Sequence, residues 1–307
     1  MDQFIQQLIN GLSLGSIYAL IALGYTMVYG VLRFINFAHG DVFMLGAYVG
    51  LYAGRTLSSR MHTGPSVLLA ICVLAISMIV CAIVGVVIER LAYAPLRNRP
   101  RLTVLITAIG VSLFLEYGGQ QFLGAGPENF PAILPRYEVL HTATLSITSN
   151  QLIVLTVTVA LLIALTFIVL KTKLGTAMRA LSFNPTAASL MGINNNVVIS
   201  FTFGLGSALA AAAGILWAVN YPSINPLMGL LPGIKAFVAA VLGGIGNIPG
   251  AALGGLILGV TETLVVGYSD RLHIPPSYRD AVAFVVLIVI LLFKPSGLLG
   301  KAGSEKV

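Results

Sequence analysis

Three polar residues that could do chemistry lie close together near the N-terminus, between two long apolar runs. Residues 32–43 read LRFINFAHGDVF, and this stretch contains Asn36, His39 and Asp41 together with Arg33. An imidazole and a carboxylate are groups that proteins use for acid–base catalysis and for metal binding. A metal site needs more converging ligands than one histidine and one aspartate. What this trio does therefore depends on the elements that hold it.

The composition of the chain excludes an ordinary soluble domain. Of 307 residues, 57% are hydrophobic and 9% are charged, and the mean hydropathy is +0.96, whereas about a quarter of a typical soluble domain is charged. Apolar runs of about 20 residues match the ~30 Å hydrocarbon core of a bilayer. Such runs occur at 4–30, 41–57, 66–88, 102–123, 151–170, 197–219, 231–245, 247–266 and 279–293. The sequence therefore predicts an all-α polytopic membrane protein, with one transmembrane domain over 1–307. We expect eight or nine membrane segments, depending on whether residues 231–266 form two spans or one re-entrant hairpin.

Basic residues predict which connections face the cytoplasm. The net charge of +7 is concentrated beside apolar runs, so it does not indicate nucleic-acid binding. Lysine and arginine near span ends favour the cytoplasmic side. The three clusters expected there are Arg90, Arg97, Arg99 and Arg101; Lys171, Lys173 and Arg179; and Lys294, Lys301 and Lys306. This places the C-terminus in the cytoplasm and the N-terminus outside, although Arg55 and Arg60 then fall outside against the rule.

Two connections between apolar runs are long enough to carry structure of their own. Residues 124–150 contain three prolines and predict an external loop that packs on itself. Residues 171–196 predict a cytoplasmic loop with a short helical core. Asn184 suits the cap of that helix, Pro185 its first turn and Gly192 its end.

Small residues four positions apart predict close contacts between membrane helices, because that spacing lets helix backbones approach each other in lipid. The pairs are Gly11 and Gly15; Gly46, Gly50 and Gly54; Ala210 and Gly214; Gly250 and Gly254; and Gly255 and Gly259. Their density predicts a tightly packed bundle.

The polar trio near the N-terminus permits two interpretations. In the first, Asn36 caps a helix and Asp41 falls in its first turn, where the helix dipole stabilises a carboxylate. The trio, with His39 in its middle, then only fixes a helix start at an aqueous boundary. In the second, a broken helix exposes these groups along a substrate path, as discontinuous helices do in transporters.

A second unusual pair is Lys235 and Glu262, since ionisable groups within a span are costly and often functional. If the two segments are antiparallel around a turn at 246–250, the two charges lie at similar depth and can neutralise each other. Alternatively, Lys235 reaches the headgroups independently of Glu262. Glu116 is expected at a solvated helix end or in a hydrogen bond between helices.

Motifs for nucleotide binding and hydrolysis do not occur in the sequence. There is no G-x-x-x-x-G-K-[ST]. The stretch GGIGNIPG at 243–250 fails as a dinucleotide fingerprint, because Pro249 occupies the place of its third glycine. H-E-x-x-H is also missing. The sequence therefore does not predict an enzyme.

Several stretches together resemble the permeases of branched-chain amino-acid ABC importers, the LivH-like family. They are INFAHGD (35–41), LGGIGNIPGAALGGLILG (242–259) and AASLMGIN (187–194). The resemblance extends from YALIALGYTMVYG (18–30) to KPSGLLG (294–300), and therefore covers nearly the whole chain.

The resemblance implies a permease subunit in a bacterial inner membrane. It would work with a second, related permease chain, two cytoplasmic ATPase subunits that bind the ATP, and a periplasmic substrate-binding protein. The chain itself would bind no cofactor or metal. Its cargo would be branched-chain or other hydrophobic or neutral amino acids, and a urea or short-chain amide importer permease is the alternative within the class.

A secondary transporter would need its own ion-coupling site and usually internal repeats, and a channel would need a polar ring. The sequence contains no convincing repeat and no such ring.

The resemblance also implies a coupling loop for the ATPase subunits. In such permeases a Glu-Ala-Ala-x-x-x-Gly core docks into the ATPase, and here the matching residues are Ala187, Ala188 and Gly192. Thr186 stands where the family has glutamate, so the resemblance does not extend to an ion pair at this position. Arg179 lies nearby in the same loop.

Overall fold

The computed structural model describes residues 2–32, 34–61, 64–97, 99–141, 145–273 and 275–300, and Arg33, Lys301 and Lys306 lie outside them. The described chain is mainly α-helical. The helices are α1 (Asp2–Leu32), α2 (His39–Met61), α3 (Val67–Ile88), α4 (Arg101–Leu123), α5 (Ser149–Lys171), α6 (Lys173–Phe183), α7 (Pro185–Leu190), α8 (Asn195–Asn220), α9 (Leu230–Gly243), α10 (Ile248–Gly267), α11 (Ser269–Leu272) and α12 (Arg279–Phe293). A π-helical turn, Glu89–Tyr93, continues α3, and short strands are β1 (Glu128–Asn129), β2 (Glu138–His141), β3 (Ser146–Thr148) and β4 (Ser223–Ile224).

Within the described residues, seven helical segments are long and apolar enough to cross a membrane. They are Gln3–Leu32, Val67–Leu96, Leu102–Leu123, Ser149–Lys171, Asn195–Asn220, Ile248–Gly267 and Pro276–Phe293. The predicted all-α polytopic fold is therefore confirmed. The 23 residues of α2 and the 14 residues of α9 coincide with the two remaining apolar runs of the sequence.

Helices α1 and α8 form the centre of the bundle, and each contains an 18-residue apolar stretch that is 89% buried. Their glycines meet small residues on neighbouring helices. Gly15 of α1 lies against Gly259 of α10, and Gly46 of α2 lies against Ala211 of α8, so closely that a Cβ atom on any of these glycines would collide with the opposing backbone. The predicted close contacts are therefore confirmed at these positions.

Helix α2 begins well inside the bundle. His39, its first residue, packs on Gly24 of α1, and its Nε2 lies 3.2 Å from the carbonyl oxygen of Ile21. Helix α1 continues to Leu32, and eight residues of α-helix cover about 12 Å. Residues 34–38 therefore turn back into the bundle before α2 starts.

The 124–150 connection packs partly on itself and partly on other elements. Strands β2 and β3 form a hairpin within it, as the prediction of a self-packed loop requires. Strand β1 instead pairs with β4, which follows α8. Arg55, in the last part of α2, forms an ion pair with Glu128 at 2.8 Å. The connection therefore contacts both β4 and α2.

The 171–196 connection contains two helices, α6 and α7. The Asn184 side chain caps α7 by accepting hydrogen bonds from the N–H groups of Thr186 and Ala187 at 3.0 Å. Pro185 is the first residue of α7, and Gly192 just beyond the helix has φ +83°. The predicted start and end of this helix are confirmed, and α6 is an addition to the prediction.

Candidate functional site

A buried network of ion pairs links α1, α9, α10 and α12. Lys235 Nζ lies 2.9 Å from Glu262 Oε1 and 2.6 Å from Asp280 Oδ1. The Tyr18 hydroxyl donates to Glu262 Oε2 at 3.1 Å and accepts from Lys235 Nζ at 3.4 Å. The contact predicted between Lys235 and Glu262 is therefore present, and Lys235 does not reach the headgroups alone.

The local fold explains why these two charges meet. Helices α9 and α10 are antiparallel around residues 244–247, which brings Lys235 and Glu262 together. Sequence analysis missed Tyr18, which is one of several tyrosines in apolar runs. It also missed Asp280, although a carboxylate in the first turn of a helix is a recognisable signal.

Asn36 does not cap α2, which corrects the expectation from sequence. The helix begins at His39, because the chain makes a further turn through residues 37–38. The Asn36 side chain instead accepts a hydrogen bond from the Tyr93 hydroxyl, with an O–O distance of 2.6 Å. Tyr93 belongs to the π-helical turn, and π turns are frequent at functional sites. The re-entering segment is thereby connected to the end of α3.

His39 and Asp41 are buried and point to different partners. The His39 ring contacts the Tyr25 ring edge-on, with 4.7 Å between centroids. Asp41 lies in the first turn of α2, as predicted, and accepts a hydrogen bond from Ser112 of α4 at 2.5 Å. Together with Asn36 these residues make contacts between helices. Among the described residues, no group of three or more His, Cys, Asp or Glu could hold a metal ion.

Glu116 of α4 is buried at the contact between α4 and α2, and it interacts with Asp41. The expectation of a solvated helix end is therefore wrong, and the alternative of a contact between helices is correct. Ser112, one turn earlier in α4, faces the same carboxylate.

Removing the Tyr93 hydroxyl should loosen the re-entering segment. Tyr93→Phe leaves the buried Asn36 oxygen without its donor, and we expect a loss of about 1–3 kcal/mol in unfolding free energy. Thermal unfolding of the purified protein in detergent measures the effect. Tyr117→Phe is the matched control, because Tyr117 is 62% exposed on α4. Equal melting temperatures for the two variants would contradict a stabilising role for this hydrogen bond.

A cavity of about 1200 Å³ lies at the end of the bundle that carries α6 and α7. The fully buried Glu89 lines it, forms an ion pair with Arg97 and accepts a hydrogen bond from Ser200 of α8 at 2.6 Å. Arg97 also donates to Asn196 at 2.5 Å. Sequence analysis used Arg97 only to orient the chain and missed Glu89. The available signal was a carboxylate at the end of an apolar run, eight positions before an arginine.

A second cavity, of about 740 Å³, lies at the opposite end of the bundle. Gln7 and Asn10 near the start of α1 line it, whereas Leu32 at the end of α1 lines the cavity beside α6 and α7. Glu262 lines the second cavity, so the ion-pair network borders this space. Polar groups thus line cavities at both ends of the bundle.

Two of the residues expected in the coupling loop have partners within the chain. Ala188 is 4% exposed and belongs to the hydrophobic core. The Arg179 guanidinium donates to the carbonyl oxygen of Val169 at 2.7 Å, so it stabilises the end of α5. Ala187 and Gly192 are exposed.

Three large apolar side chains of the 171–196 connection are unusually exposed. Phe183 is 89% exposed, and Leu190 and Met191 are each 83% exposed. They flank or end α7 and lie outside the helices that could cross a membrane. Sequence analysis did not single them out, because the family motif emphasises the small residues.

Membrane-length helices that bury ion pairs and leave polar cavities at both ends define a multi-pass helical membrane protein. The profile of the family described as branched-chain amino acid transport system / permease component matches residues 7–291. The chain belongs to this family.

Relatives match over nearly their whole length. The high-affinity branched-chain amino acid transport system permease protein BraD of Pseudomonas aeruginosa is 44% identical, over 99% of this chain and 98% of that protein. LivH of Escherichia coli K12, described in the same words, is also 44% identical, over 99% and 98%. A probable LivH of Methanocaldococcus jannaschii is 31% identical, over 93% and 89%. A solved structure, PsaBC from Streptococcus pneumoniae in complex with Fab, aligns with a TM-score of 0.45 and 13% identity, over 95% of this chain and 92% of that chain.

Proposed function

We propose that this chain is the permease subunit of an ABC importer and forms the path for branched-chain or other hydrophobic and neutral amino acids. The end-to-end match to proteins described as high-affinity branched-chain amino acid permeases carries the proposal. The chain performs no chemistry on the cargo. ATP is bound and hydrolysed on separate subunits, so this chain needs no cofactor.

The proposed assembly contains a second, related permease chain, two cytoplasmic ATPase subunits and a periplasmic substrate-binding protein. It lies in the inner membrane of a bacterium, and nucleic acid has no part in it. One permease domain, 1–307, contributes an external connection at 124–150 and a cytoplasmic coupling loop at 171–196.

Helix α7 and its flanking apolar residues are the proposed contact with the ATPase. A capped helix of six residues presents Leu190 and Met191 to solvent, with Phe183 just before it. Exposed apolar side chains next to each other are typical of protein interfaces. We propose that these three side chains enter a cleft of the ATPase, while Ala188 holds α7 against the permease.

We propose nine crossings of the membrane, with the N-terminus outside and the C-terminus in the cytoplasm. Helix α9 covers about 21 Å, less than the ~30 Å of the hydrocarbon core, so residues 225–229, between β4 and α9, complete its crossing. Two full crossings, rather than a re-entrant hairpin, are supported by the turn after α9, because a Cβ atom on Gly30 near the end of α1 would lie 3.7 Å from the Gly246 Cα.

Thiol labelling tests this orientation. In a Cys72→Ala, Cys81→Ala background, Val139→Cys should react with an impermeant thiol reagent added outside the cell. Ser189→Cys should react only when the cells are permeabilised, so that the reagent reaches the cytoplasmic face of the membrane. Both positions are exposed in the structure, so accessibility to the reagent depends on the side. The reverse pattern would overturn the orientation of the whole chain.

Reconstitution tests the function. The permease chains, ATPase subunits and loaded binding protein are placed in liposomes, and uptake of leucine and of urea is measured with and without ATP. We expect leucine uptake that requires ATP. ATP-dependent uptake of urea alone would select the amide importer. Leucine uptake driven by an ion gradient without ATP would select a secondary transporter.

A further inference from the structure

The cavity of about 740 Å³ carries charges of both signs. Among the described residues that line it, Arg136 and Arg279 are the basic ones, and Glu138 and Glu262 are the acidic ones. Its volume is within the range of about 300–1,000 Å³ that is typical of ligand pockets. A lining with balanced charge suits a ligand that has both charges and no net charge.

The charged groups beside the cavity do not form one-to-one ion pairs. Lys235 is shared between Glu262 and Asp280, so this part of the network has one ammonium group and two carboxylates. Arg279 lies 3.5 Å from Asp280, but its side chain is 55% exposed. An ion pair with such exposure is weak, so the Arg279 guanidinium has donors free for a ligand.

A buried amide in the cavity wall also lacks a partner. Asn150 is 5% exposed, and its Nδ2 donates to the Val219 carbonyl oxygen at 3.2 Å. Its Oδ1 has no hydrogen-bond partner in the described part of the chain. Buried acceptors normally have donors, so this oxygen favours a ligand N–H group. Leu14 and Val266 add apolar surface to the same cavity.

We propose that this cavity binds the zwitterionic amino-acid cargo, with the ammonium group toward Glu262 and Asn150 and the carboxylate toward Arg279 and Arg136. The apolar side chain of the cargo packs on Leu14 and Val266. This assignment rests on the proposed function, since it names the residues by which the permease recognises that cargo. A zwitterion brings no net charge into a lining that is already balanced, and each of its charged groups meets an opposite charge.

Protection of a cysteine in the cavity tests the proposal. Asn220→Cys, at the end of α8, lines the cavity. It is introduced into the Cys72→Ala, Cys81→Ala background of the assembled permease–ATPase complex, without binding protein. Leucine should slow its reaction with a thiol reagent several-fold. Isocaproate, which lacks the ammonium group, and isoamylamine, which lacks the carboxylate, should slow it much less. Ser59→Cys at the end of α2, outside the cavity lining, should react equally fast in all cases.

A charge variant tests the assigned carboxylate contact. Arg279→Gln should raise the leucine concentration needed for protection roughly tenfold or more, the effect of losing a hydrogen bond to a charged group. Arg55→Gln is the matched control, because Arg55 is exposed in an ion pair outside the cavity lining. If Arg279→Gln keeps full protection but loses ATPase stimulation by the binding protein, the arginine docks that protein and the assignment is overturned.

The outcomes separate this inference from the proposed function. In a complex that imports leucine, the proposed site is refuted if all three compounds slow the thiol reaction equally, or if none of them slows it. The proposed importer function is then unaffected. Protection by leucine in a complex without ATP-dependent uptake refutes the importer and leaves an amino-acid site.

Discussion

Lys235→Ala is expected to destabilise the permease by about 3–5 kcal/mol, the usual effect of removing one partner of a buried ion pair. Glu262 would stay buried at 2% exposure without its cation, and Asp280 would lose the same partner. We therefore expect a lower yield of assembled complex, a lower melting temperature in detergent and reduced leucine uptake. Arg60→Ala at the exposed end of α2 should change little.

The double variant distinguishes a pair from two independent charges. Lys235→Ala with Glu262→Ala should lose less stability than the sum of the two single changes, because the second change removes the uncompensated carboxylate. Asp280 remains, so the rescue is partial. Additive losses in melting temperature and uptake would show that the 2.9 Å contact has no energetic coupling.

Leu190→Glu and Met191→Glu are expected to uncouple the permease from its ATPase subunits. Both side chains are 83% exposed, so neither change should disturb the fold. A carboxylate in an apolar cleft of the partner is costly without a cation. We expect normal membrane insertion and normal pairing with the second permease chain, but loss of co-purifying ATPase or of ATP hydrolysis stimulated by loaded binding protein.

A charge-matched control keeps this experiment specific. Thr176→Glu places the same charge on an exposed position of α6 in the same connection, outside the proposed contact, and should leave stimulation intact. Gly192→Glu is a less specific variant, since φ +83° strains any residue with a side chain. Unchanged stimulated hydrolysis in Leu190→Glu and Met191→Glu would exclude this docking surface.

Features that depend on neighbouring residues could be predicted from the sequence. The start and end of α7 follow from Asn184, Pro185 and Gly192, because caps and turns are made by residues within one helical turn. Apolar runs determine the membrane helices, since their length must match the bilayer. Of the two interpretations of Lys235, the contact with Glu262 is the one present, because α9 and α10 are consecutive helices joined by a short turn.

Only the tertiary structure decided which distant groups meet. Three contacts join residues that are far apart in the chain: Asn36 with Tyr93, Glu89 with Ser200, and Lys235 with Asp280. Membrane helices are apolar on most faces, so their periodicity does not identify the buried side or the neighbouring helix. Packing and hydrogen bonds between particular helices determine it instead. For the same reason, the motif could identify α7 but could not indicate that Ala188 faces the permease itself while Leu190 and Met191 face outward.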